Sequence, residues 1–311
     1  MPGETLSSSV CVIQNPNAGS ADQIDELKQL ISDRSDLQLC KTDRPGHGKD
    51  MAIEHCQTGD RIIAAAGGDG TISEIVNGLM DSDCDHKPAI LVIPMGTGND
   101  LARTLGIEDI EHAVSLLDDG EIRPLDVMRW SATLEDGSEK SGWSVNVMAA
   151  GFSSKIQETL TSEMKSRWGP LAYYRAAIGA AASLDPHSLR LTVDGEQLGP
   201  LDVLNTVIAN ARYAGGGVMV APEADVSDGE LDFVAVRDGS ALEIAGLSAR
   251  FLIGSILDSD QIVHIRGKHF ELESDPPLPF NVDGDKVGSG KLIVEVKPGA
   301  LKVVVPKATE D

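Results

Sequence analysis

Gly67, Gly68, Asp69, Gly70 and Thr71 form a segment that could hold phosphate, because they follow the apolar run 61–66 and precede a helix-like pattern. Glycines let the main chain turn sharply and bring its N–H groups close to an anion, and a helix N-terminus adds the positive end of its dipole. A carboxylate beside a polyphosphate repels it unless a cation lies between them. Asp69 therefore indicates Mg²⁺ together with a nucleotide.

The same segment also has a purely structural interpretation. Thr71 and Glu74 have the spacing of a helix capping box, and an apolar helical face follows, formed by Ile72, Ile75, Val76 and Leu79. A P-loop is excluded because its Lys-Ser/Thr pair is absent, and Ser73 stands where a dinucleotide fingerprint needs its third glycine. The residues alone leave a phosphate cradle and a capped helix open.

The surrounding elements favour the cradle. Apolar runs at 10–13, 62–66 and 89–93 alternate with helical patterns around 24–31, 72–79 and 101–105. This alternation predicts a parallel, doubly wound sheet. The Gly/Asn-rich loops 15–19, 67–71 and 94–100 each follow a strand, so we expect them to meet at the carboxyl edge of that sheet.

Beyond about Asp126, short alternating strands and tight turns predict a mostly antiparallel second domain, interrupted by helical patterns at 154–164, 171–182 and 241–256. The terminal run 301–306 could close either domain. We expect a nucleotide-binding domain over 1–127 and a second domain over 128–295.

The net charge of the chain restricts its expected binding partners. The 311 residues include 49 Asp and Glu against 26 Lys and Arg, a formal charge of −23, so nucleic acid is not an expected partner. An acidic protein repels ATP unless salt screens the charges on both, which favours a salt-loving host. The same composition is also compatible with the acidic surface of a protein from a mesophilic host. The apolar stretch 171–182 is too short to span a bilayer and no signal peptide is evident, so we expect a soluble, cytoplasmic protein.

The four cysteines, Cys11, Cys40, Cys56 and Cys84, show no CxxC pairing and lie in the first third of the chain. This spacing argues against a zinc site or a disulfide scaffold and predicts reduced core thiols.

Ordered motifs give the chain a family resemblance. Asn15-Pro16-x-Ala18-Gly19, Thr42 with Gly46-His47, the glycine motif and the loop 96–100 are followed by Asn210, residues 215–217, 228–232 and 281–285. In this order they resemble the diacylglycerol kinase catalytic domain family, its soluble bacterial-type lipid kinases and, more distantly, sphingosine kinases. The resemblance implies a nucleotide-binding α/β domain joined to an antiparallel β-sandwich, with the tail 296–311 returning to the first domain.

Carried over by position, the resemblance implies a set of nucleotide-contacting residues. Glycine N–H groups with Asn and Thr side chains can bind phosphate and ribose without adding positive charge. Thr42 could equally be a turn hydroxyl, and His47 is better explained as a structural histidine. The set is Asn15, Pro16, Asn17, Ala18, Gly19, Thr42, Gly67, Gly68, Asp69, Gly70, Thr71, Ile72, Ser73 and Thr97.

The resemblance also implies two cation sites. In the acidic loop the Asp228 side chain and backbone oxygens at Asp225 and Glu230 would hold Mg²⁺ or Ca²⁺, although a solvated acidic turn has the same sequence. Asp69, Asp100 and Asp126 would surround the catalytic Mg²⁺, directly or through water.

The family's general base is a glutamate in an Asp-Gly-Glu motif, and Asp285 of Asp283-Gly284-Asp285 occupies that position. Aspartate is one methylene shorter, and a base must lie within hydrogen-bond reach of the proton it takes. Three outcomes stay open: Asp285 acts, which we favour, Asp283 takes over, or transfer is weak. The motif could also be only a hairpin turn.

The implied activity is transfer of the ATP γ-phosphate to a diacylglycerol-like or other long-chain lipid alcohol, which in a salt-loving archaeon could be an isoprenoid glycerol ether. The apolar segments 149–152 and 171–182 would approach this acceptor at a transient membrane contact, and a homodimer is compatible with the sequence. One rival is an NAD kinase-like enzyme, which shares Gly-Gly-Asp-Gly-Thr. The other is a non-catalytic nucleotide- or lipid-binding regulator.

Overall fold

The computed structural model describes residues 10–151, 186–240 and 256–307, together with Glu243, Leu247 and Arg250. The chain divides into two units: unit 1 comprises Met1–Leu125 and Gly299–Asp311, and unit 2 comprises Asp126–Pro298. The helical patterns expected at 154–164 and 171–182, most of that at 241–256, and Phe152 lie outside the described residues.

Unit 1 contains a parallel sheet covered by helices. Its strands are β1 (Val10–Gln14), β2 (Leu37–Lys41), β3 (Ile62–Gly67) and β4 (Ala89–Pro94), and its helices are α1 (Ala21–Ser32), α2 (His47–Thr58), α3 (Asp69–Asp81), α4 (Asp100–Thr104) and α5 (Ile110–Asp119). β1 lies between β2 and β3, β3 pairs with β4, and Val303 near the C-terminus pairs with Ile90 of β4, all in parallel. Every residue of β1, β3 and β4 is buried, as expected for a parallel sheet with both faces covered. The predicted α/β fold class is confirmed.

Three elements of unit 1 were absent from the sequence-based prediction. β2 is a half-buried edge strand without a continuous apolar run, and α2 buries only Gly48, Ala52 and Cys56. α5 was overlooked although it buries an apolar face formed by Ile110, Ala113, Val114, Leu116 and Leu117. For β2 and α2 the apolar signal is short or diluted by polar residues.

The expectation of four reduced cysteines is wrong at two positions. Cys56 of α2 and Cys84, which follows α3, are joined by a disulfide, with their Cα atoms 6.1 Å apart. Because α2 and α3 pack against each other, residues 28 apart in sequence become neighbours. Cys11 and Cys40 are free cysteines.

Unit 2 is an antiparallel, strand-rich unit. β5 (Glu121–Leu134) enters it from unit 1, and β16 (Asp285–Val305) leaves it. Between them lie β6 (Glu139–Ser144), β7 (Val147–Gly151), β8 (His187–Val193), β9 (Glu196–Ala209), β10 (Tyr213–Ala214), β11 (Val218–Met219), β12 (Leu231–Arg237), a 3-10 turn (Ile256–Asp258), β13 (Ile262–Gly267), β14 (His269–Asp275) and β15 (Pro279–Val282).

Strand pairing encloses one main core in unit 2. β9 pairs with β7, β8 and β12, while β16 pairs with β14 and β15, in every case antiparallel. Alternate residues of these strands bury Phe233, Phe270 and Phe280 completely, with Phe233 and Phe270 stacked at 6.1 Å between ring centroids. The predicted mostly antiparallel second domain is confirmed. No helix in the described part of the chain is both long and apolar enough to cross a membrane.

Candidate active site

Three loops of unit 1 meet where β1, β3 and β4 end. The Asn15 amide nitrogen donates to Thr71 Oγ1 at 3.4 Å, and its oxygen accepts from the Asn17 backbone N–H at 3.0 Å. Gly19, at φ +81°, lies so close to the loop after β4 that a Cβ there would be 3.1 Å from the Met95 carbonyl oxygen. The three Gly/Asn-rich loops thus share one edge, as expected from the sheet.

The backbones of the loops after β3 and β4 are in direct contact. A Cβ on Gly96 would lie 2.5 Å from Gly68 Cα, a separation that real Cβ atoms do not adopt. Gly67 is equally constrained, because a Cβ there would overlap the side chain of Thr71. Gly70 differs, since a Cβ there would meet nothing within 4 Å. The glycines at 67, 68 and 96 permit close packing, whereas Gly70 faces open space at the start of α3.

Asn99 closes the loop that follows β4. Its side-chain oxygen accepts from the Gly96 N–H and its nitrogen donates to the Gly96 carbonyl, both at 2.8 Å. Asn99 is also in the left-handed region, at φ 53°, which Asn tolerates better than other non-glycine residues. It therefore fixes the loop that presents the exposed Thr97.

The Asp69 carboxylate joins the glycine motif to α4. Its Oδ1 accepts from the backbone N–H groups of Asp100 at 3.0 Å and Leu101 at 3.3 Å. Burial raises the pKa of Asp69, although the N–H groups of Leu101 and Asp100 act in the opposite direction. Asp100 is itself buried, and its backbone N–H is one of the two groups bonded to Asp69.

The start of α3 differs from the expected capping box. The helix begins at Asp69, its N-cap is Gly68, and no side chain caps it. The Glu74 carboxylate instead accepts from the backbone N–H groups of Gly46 and Gly48 at 2.8 and 2.9 Å, at the beginning of α2. The capping-box interpretation is therefore wrong, because Glu74 bonds to a neighbouring helix rather than to its own N-terminus.

The other predicted nucleotide residues vary in accessibility. Thr71, Ile72 and Thr42 are buried, so their side chains are not presented to solvent, whereas Ser73 is half-buried. The Thr42 N–H pairs with the Gln14 carbonyl at 2.9 Å, which places Thr42 directly beside β1. Pro16 and Asn17 are exposed and Ala18 is half-buried.

Asp283 and Gly284 form the two-residue turn of the β15–β16 hairpin. Both have positive φ values, 47° and 91°, as a type I′ turn requires. Asp283 Oδ1 accepts from the Ser144 hydroxyl at 2.5 Å, while Asp285 is exposed at the first position of β16. The motif therefore does form a hairpin turn. Its two carboxylates differ, because that of Asp283 is hydrogen-bonded and Asp285 is exposed to solvent.

The acidic loop of unit 2, residues 225–230, forms ion pairs with a basic side chain. The Arg266 guanidinium contacts Asp228 directly and lies 3.1 Å from Glu230. Asp228 Oδ1 accepts from the Glu230 N–H at 3.0 Å, and Asp225 bonds to Ser227. Burial raises the pKa of Asp228, although the Glu230 N–H and Arg266 act in the opposite direction.

Asp126, on β5, is hydrogen-bonded to this acidic loop. It is buried, its Oδ2 accepts from the Gly229 N–H at 2.6 Å, and its own N–H donates to the Val226 carbonyl at 2.7 Å. Of the three carboxylates expected around a catalytic Mg²⁺, Asp69 and Asp100 are brought together in unit 1, whereas Asp126 lies in unit 2.

Several residues that shape these sites were missed by sequence reasoning. Their partners are distant in sequence, as with Ser144 and Asp283 or Arg266 and Asp228. Asn99 had a local signal, because Asn next to glycine in a loop is typical of a left-handed turn residue. Glu74 also had one, the capping-box spacing, but its partners are Gly46 and Gly48. The missed residues are Glu74, Asn99, Ser144 and Arg266.

The described elements define an α/β unit with three glycine-rich loops at one sheet edge, followed by a β-rich unit. Two family models match: the diacylglycerol kinase catalytic domain over residues 9–130 and the YegS C-terminal NAD kinase beta sandwich-like domain over residues 146–305. The chain belongs to the diacylglycerol kinase catalytic domain family, a family of lipid kinases, and the resemblance carried by the motifs is confirmed.

Relatives of this family align along most of the chain. A Shewanella frigidimarina protein named "Probable lipid kinase YegS-like" is 31% identical over 254 residues, covering 78% of this chain and 76% of the relative. A Bacillus subtilis protein named diacylglycerol kinase is 27% identical over 287 residues, covering 89% of each chain.

Solved structures agree at the level of the fold. A crystal structure of a Bacillus anthracis diacylglycerol kinase matches with a TM-score of 0.75 at 23% identity, covering 95% of this chain and 96% of that one. Yeast NADH kinase is a more distant neighbour, with a TM-score of 0.53 at 11% identity over 98% of this chain and 85% of that one.

Proposed function

We propose that the protein is an ATP-dependent lipid kinase that transfers the γ-phosphate of ATP to the hydroxyl of a diacylglycerol-like or other long-chain lipid alcohol. The observation that carries this proposal is the convergence of three loops in unit 1. Asn15 bonds to Thr71, Gly68 packs on Gly96, and Asp69 bonds to Asp100. In an open α/β sheet, ligands bind at such an edge.

The nucleotide would lie against the start of α3. The first N–H groups of a helix have no acceptor within it, and Gly70 leaves the space beside them open. Asn15 and the exposed Thr97 can add amide and hydroxyl contacts without repelling phosphate. The triphosphate would therefore be bound mainly by backbone N–H groups, and basic side chains would contribute little.

The residues at this edge suit Mg²⁺. Asp69 and Asp100 supply only carboxylate oxygens, the ligands that Mg²⁺ prefers. Burial raises the pKa of Asp69, which means that the carboxylate charge is poorly compensated by its N–H partners and would be stabilised by a nearby cation. When bound, the ion would neutralise charge on the phosphate oxygens. Asp69 would hold the glycine motif against α4 through the N–H groups of Asp100 and Leu101.

Asp285 is our choice for the general base. A base must be able to reach the acceptor hydroxyl, and Asp285 is exposed at the start of β16. Asp283 is less suitable, because the Ser144 hydroxyl occupies one of its oxygens and its own left-handed backbone conformation forms the turn. Asp283 would fix the hairpin and Asp285 would take the proton.

The proposal that the acceptor is a lipid alcohol is based on family membership, and a phosphate-transfer assay tests it. The full-length protein is incubated with γ-labelled ATP and Mg²⁺, with diacylglycerol or an isoprenoid glycerol ether in vesicles, and separately with NAD. We expect label in a lipid alcohol. Label in NAD would support the NAD kinase-like alternative, and ATP binding without transfer to any acceptor would support a regulator.

Asp285→Ala is the catalytic control in this assay. It should retain ATP binding and lose transfer to whichever lipid accepts label. Equal transfer by this variant and the unmodified protein would remove Asp285 from the mechanism while leaving the lipid kinase assignment intact.

A further inference from the structure

Cys11, Cys40 and His55 form a cluster in unit 1. Their two sulfur atoms and one ring nitrogen all lie within 4.8 Å of one another. Cys11 is on β1, Cys40 on β2 and His55 on α2, so three separate elements contribute. None of these residues takes part in the proposed phosphoryl transfer.

The strand register explains how the two sulfur atoms meet. Cys11 pairs with Gln38, and Ile13 pairs with Cys40. Paired residues of a parallel sheet point to the same face, as do residues two apart in one strand. Cys11 and Cys40 are therefore diagonal neighbours on one face of the sheet, and α2 contacts β1 and brings His55 to them.

The distances suit a small thiophilic cation. Zinc lies about 2.3 Å from a thiolate sulfur and about 2.0–2.1 Å from an imidazole nitrogen, so two tetrahedral ligands stand roughly 3.5–3.8 Å apart. Cys40 Sγ and His55 Nε2 are 3.8 Å apart. A modest contraction of the cluster would bring all three ligand atoms to bonding distance.

The histidine is already oriented for such a role. His55 Nδ1 lies 2.7 Å from Asp60 Oδ2, and both side chains are mostly buried. The Thr58 hydroxyl and the Asp60 N–H both donate to the His55 carbonyl, at 3.0 and 3.3 Å, which holds Asp60 beside the histidine. A carboxylate that accepts the Nδ1 proton leaves Nε2 with its lone pair facing the two sulfur atoms, which is the arrangement found around metal-bound histidines.

We propose that Cys11, Cys40 and His55 Nε2 bind one Zn²⁺ ion, with water in the fourth position and Asp60 as the positioning residue. Two thiolates and an imidazole select zinc over Mg²⁺ or Ca²⁺, which prefer oxygen ligands. Binding releases the two thiol protons, and the ion ties β1 to β2 and α2. The absence of a CxxC pattern concealed this site, because the ligands come from three elements rather than one local motif.

The test is a Co²⁺ titration of the purified full-length protein, in which Co²⁺ serves as the spectroscopic probe for zinc. We expect a thiolate-to-cobalt charge-transfer band that saturates at one equivalent and is abolished by stoichiometric Zn²⁺. Cys40→Ser should remove the band, and His55→Gln should weaken binding at least about tenfold while keeping thiolate character. Far-ultraviolet circular dichroism checks that each variant is folded.

The chain provides matched controls. Cys56→Ser/Cys84→Ser removes the two cysteines outside the cluster and should leave the band unchanged. Asp60→Asn should keep one equivalent of bound Co²⁺ but weaken it about 10–100-fold, as expected when a carboxylate behind a metal ligand is lost.

Three results would overturn the zinc proposal. One is no charge-transfer band in the folded protein, and another is a band of equal strength in Cys40→Ser. The third is a Cys11–Cys40 disulfide in freshly purified protein. None of these measurements involves ATP, so they stand apart from the outcome of the kinase assay.

Discussion

Asp69 Oδ1 accepts the backbone N–H of Asp100 at 3.0 Å, which joins the glycine motif to the loop after β4. One carboxylate thus holds together two loops that would contact the same nucleotide. The side chain is largely buried and accepts the backbone N–H groups of Asp100 and Leu101, yet burial still raises its pKa. The raised pKa means that a cation beside Asp69 would stabilise the ionised carboxylate.

Asp69→Asn is expected to separate function from stability. The folded pKa of Asp69 lies above its unfolded value, so the protein loses stability as pH rises from the unfolded to the folded pKa. The asparagine oxygen can still accept both N–H groups without carrying a charge. The variant should have a higher Tm at pH 7, a difference that vanishes in acid, and transfer at least about 100-fold slower. A Tm that falls at pH 7 would contradict this account.

Gly96→Ala and Gly70→Ala form a matched pair in the nucleotide loops. The Gly96 methyl would overlap Gly68 Cα at 2.5 Å and push two loops apart, so both Tm and ATP affinity should fall. The Gly70 methyl meets nothing within 4 Å, and alanine favours the helix by roughly 0.5–1 kcal/mol, so its Tm should hold or rise. If ATP lies beside Gly70, this variant should nevertheless bind ATP more weakly. Unchanged ATP affinity in Gly70→Ala would place the nucleotide elsewhere.

The strands β1, β3 and β4 and the helix α3 could be predicted because each has a continuous apolar run or a clear apolar helical face. β2 and α2 could not, because an edge strand and a partly exposed helix need few apolar residues. The convergence of three loops followed from parallel topology alone. It needed no knowledge of side-chain contacts.

Partners that are distant in sequence explain most of what sequence reasoning missed. Glu74 had the spacing of a capping box, yet its carboxylate binds Gly46 and Gly48 of another helix. Cys56 and Cys84 gave no pairing signal until the packing of α2 on α3 was known. Charge complementarity between Arg266 and Asp228 likewise depends on strand register.

Asp285→Ala should lower kcat by about 10²–10⁴-fold, the range that a general base contributes, with little change in ATP affinity. Asp285→Glu adds the methylene that the family's base has and should retain transfer or increase it. Single-turnover rates with saturating ATP give the measurement directly.

Asp283→Asn provides the contrast to the Asp285 variants. Asparagine tolerates the left-handed conformation at φ 47° and can still accept from the Ser144 hydroxyl, so the hairpin should be kept. If Asp285 is the base, transfer by Asp283→Asn should fall far less than transfer by Asp285→Ala. The reverse order would assign the base to Asp283.

Arg266→Gln should make the stability of unit 2 depend on divalent cations. Arg266 lies against Asp228 and Glu230, and its removal leaves these carboxylates to repel one another. Tm should fall and then recover with millimolar Mg²⁺, while the unmodified protein should respond weakly to Mg²⁺ or to chelation. Arg190→Gln, which breaks only an exposed pair with Glu273, is the control and should cost about 0–1 kcal/mol. An unmodified protein that chelators destabilise would show that a metal, rather than Arg266, holds the acidic loop.

Salt should stabilise this protein through its charge. A formal charge of −23 makes the folded state repel itself at low ionic strength, and the Debye length falls from about 10 Å at 0.1 M to about 3 Å at 1 M salt. We expect Tm to rise steadily with KCl, at roughly 2–4 °C for each kcal/mol gained.

Glu26→Gln/Asp85→Asn/Glu139→Gln removes three exposed charges and should raise Tm at low salt while flattening its dependence on KCl. Parallel curves for the two proteins would mean that KCl acts through hydrophobic burial or ion binding instead of screening. A salt-independent Tm in the unmodified protein would remove the physical basis for expecting a salt-loving host.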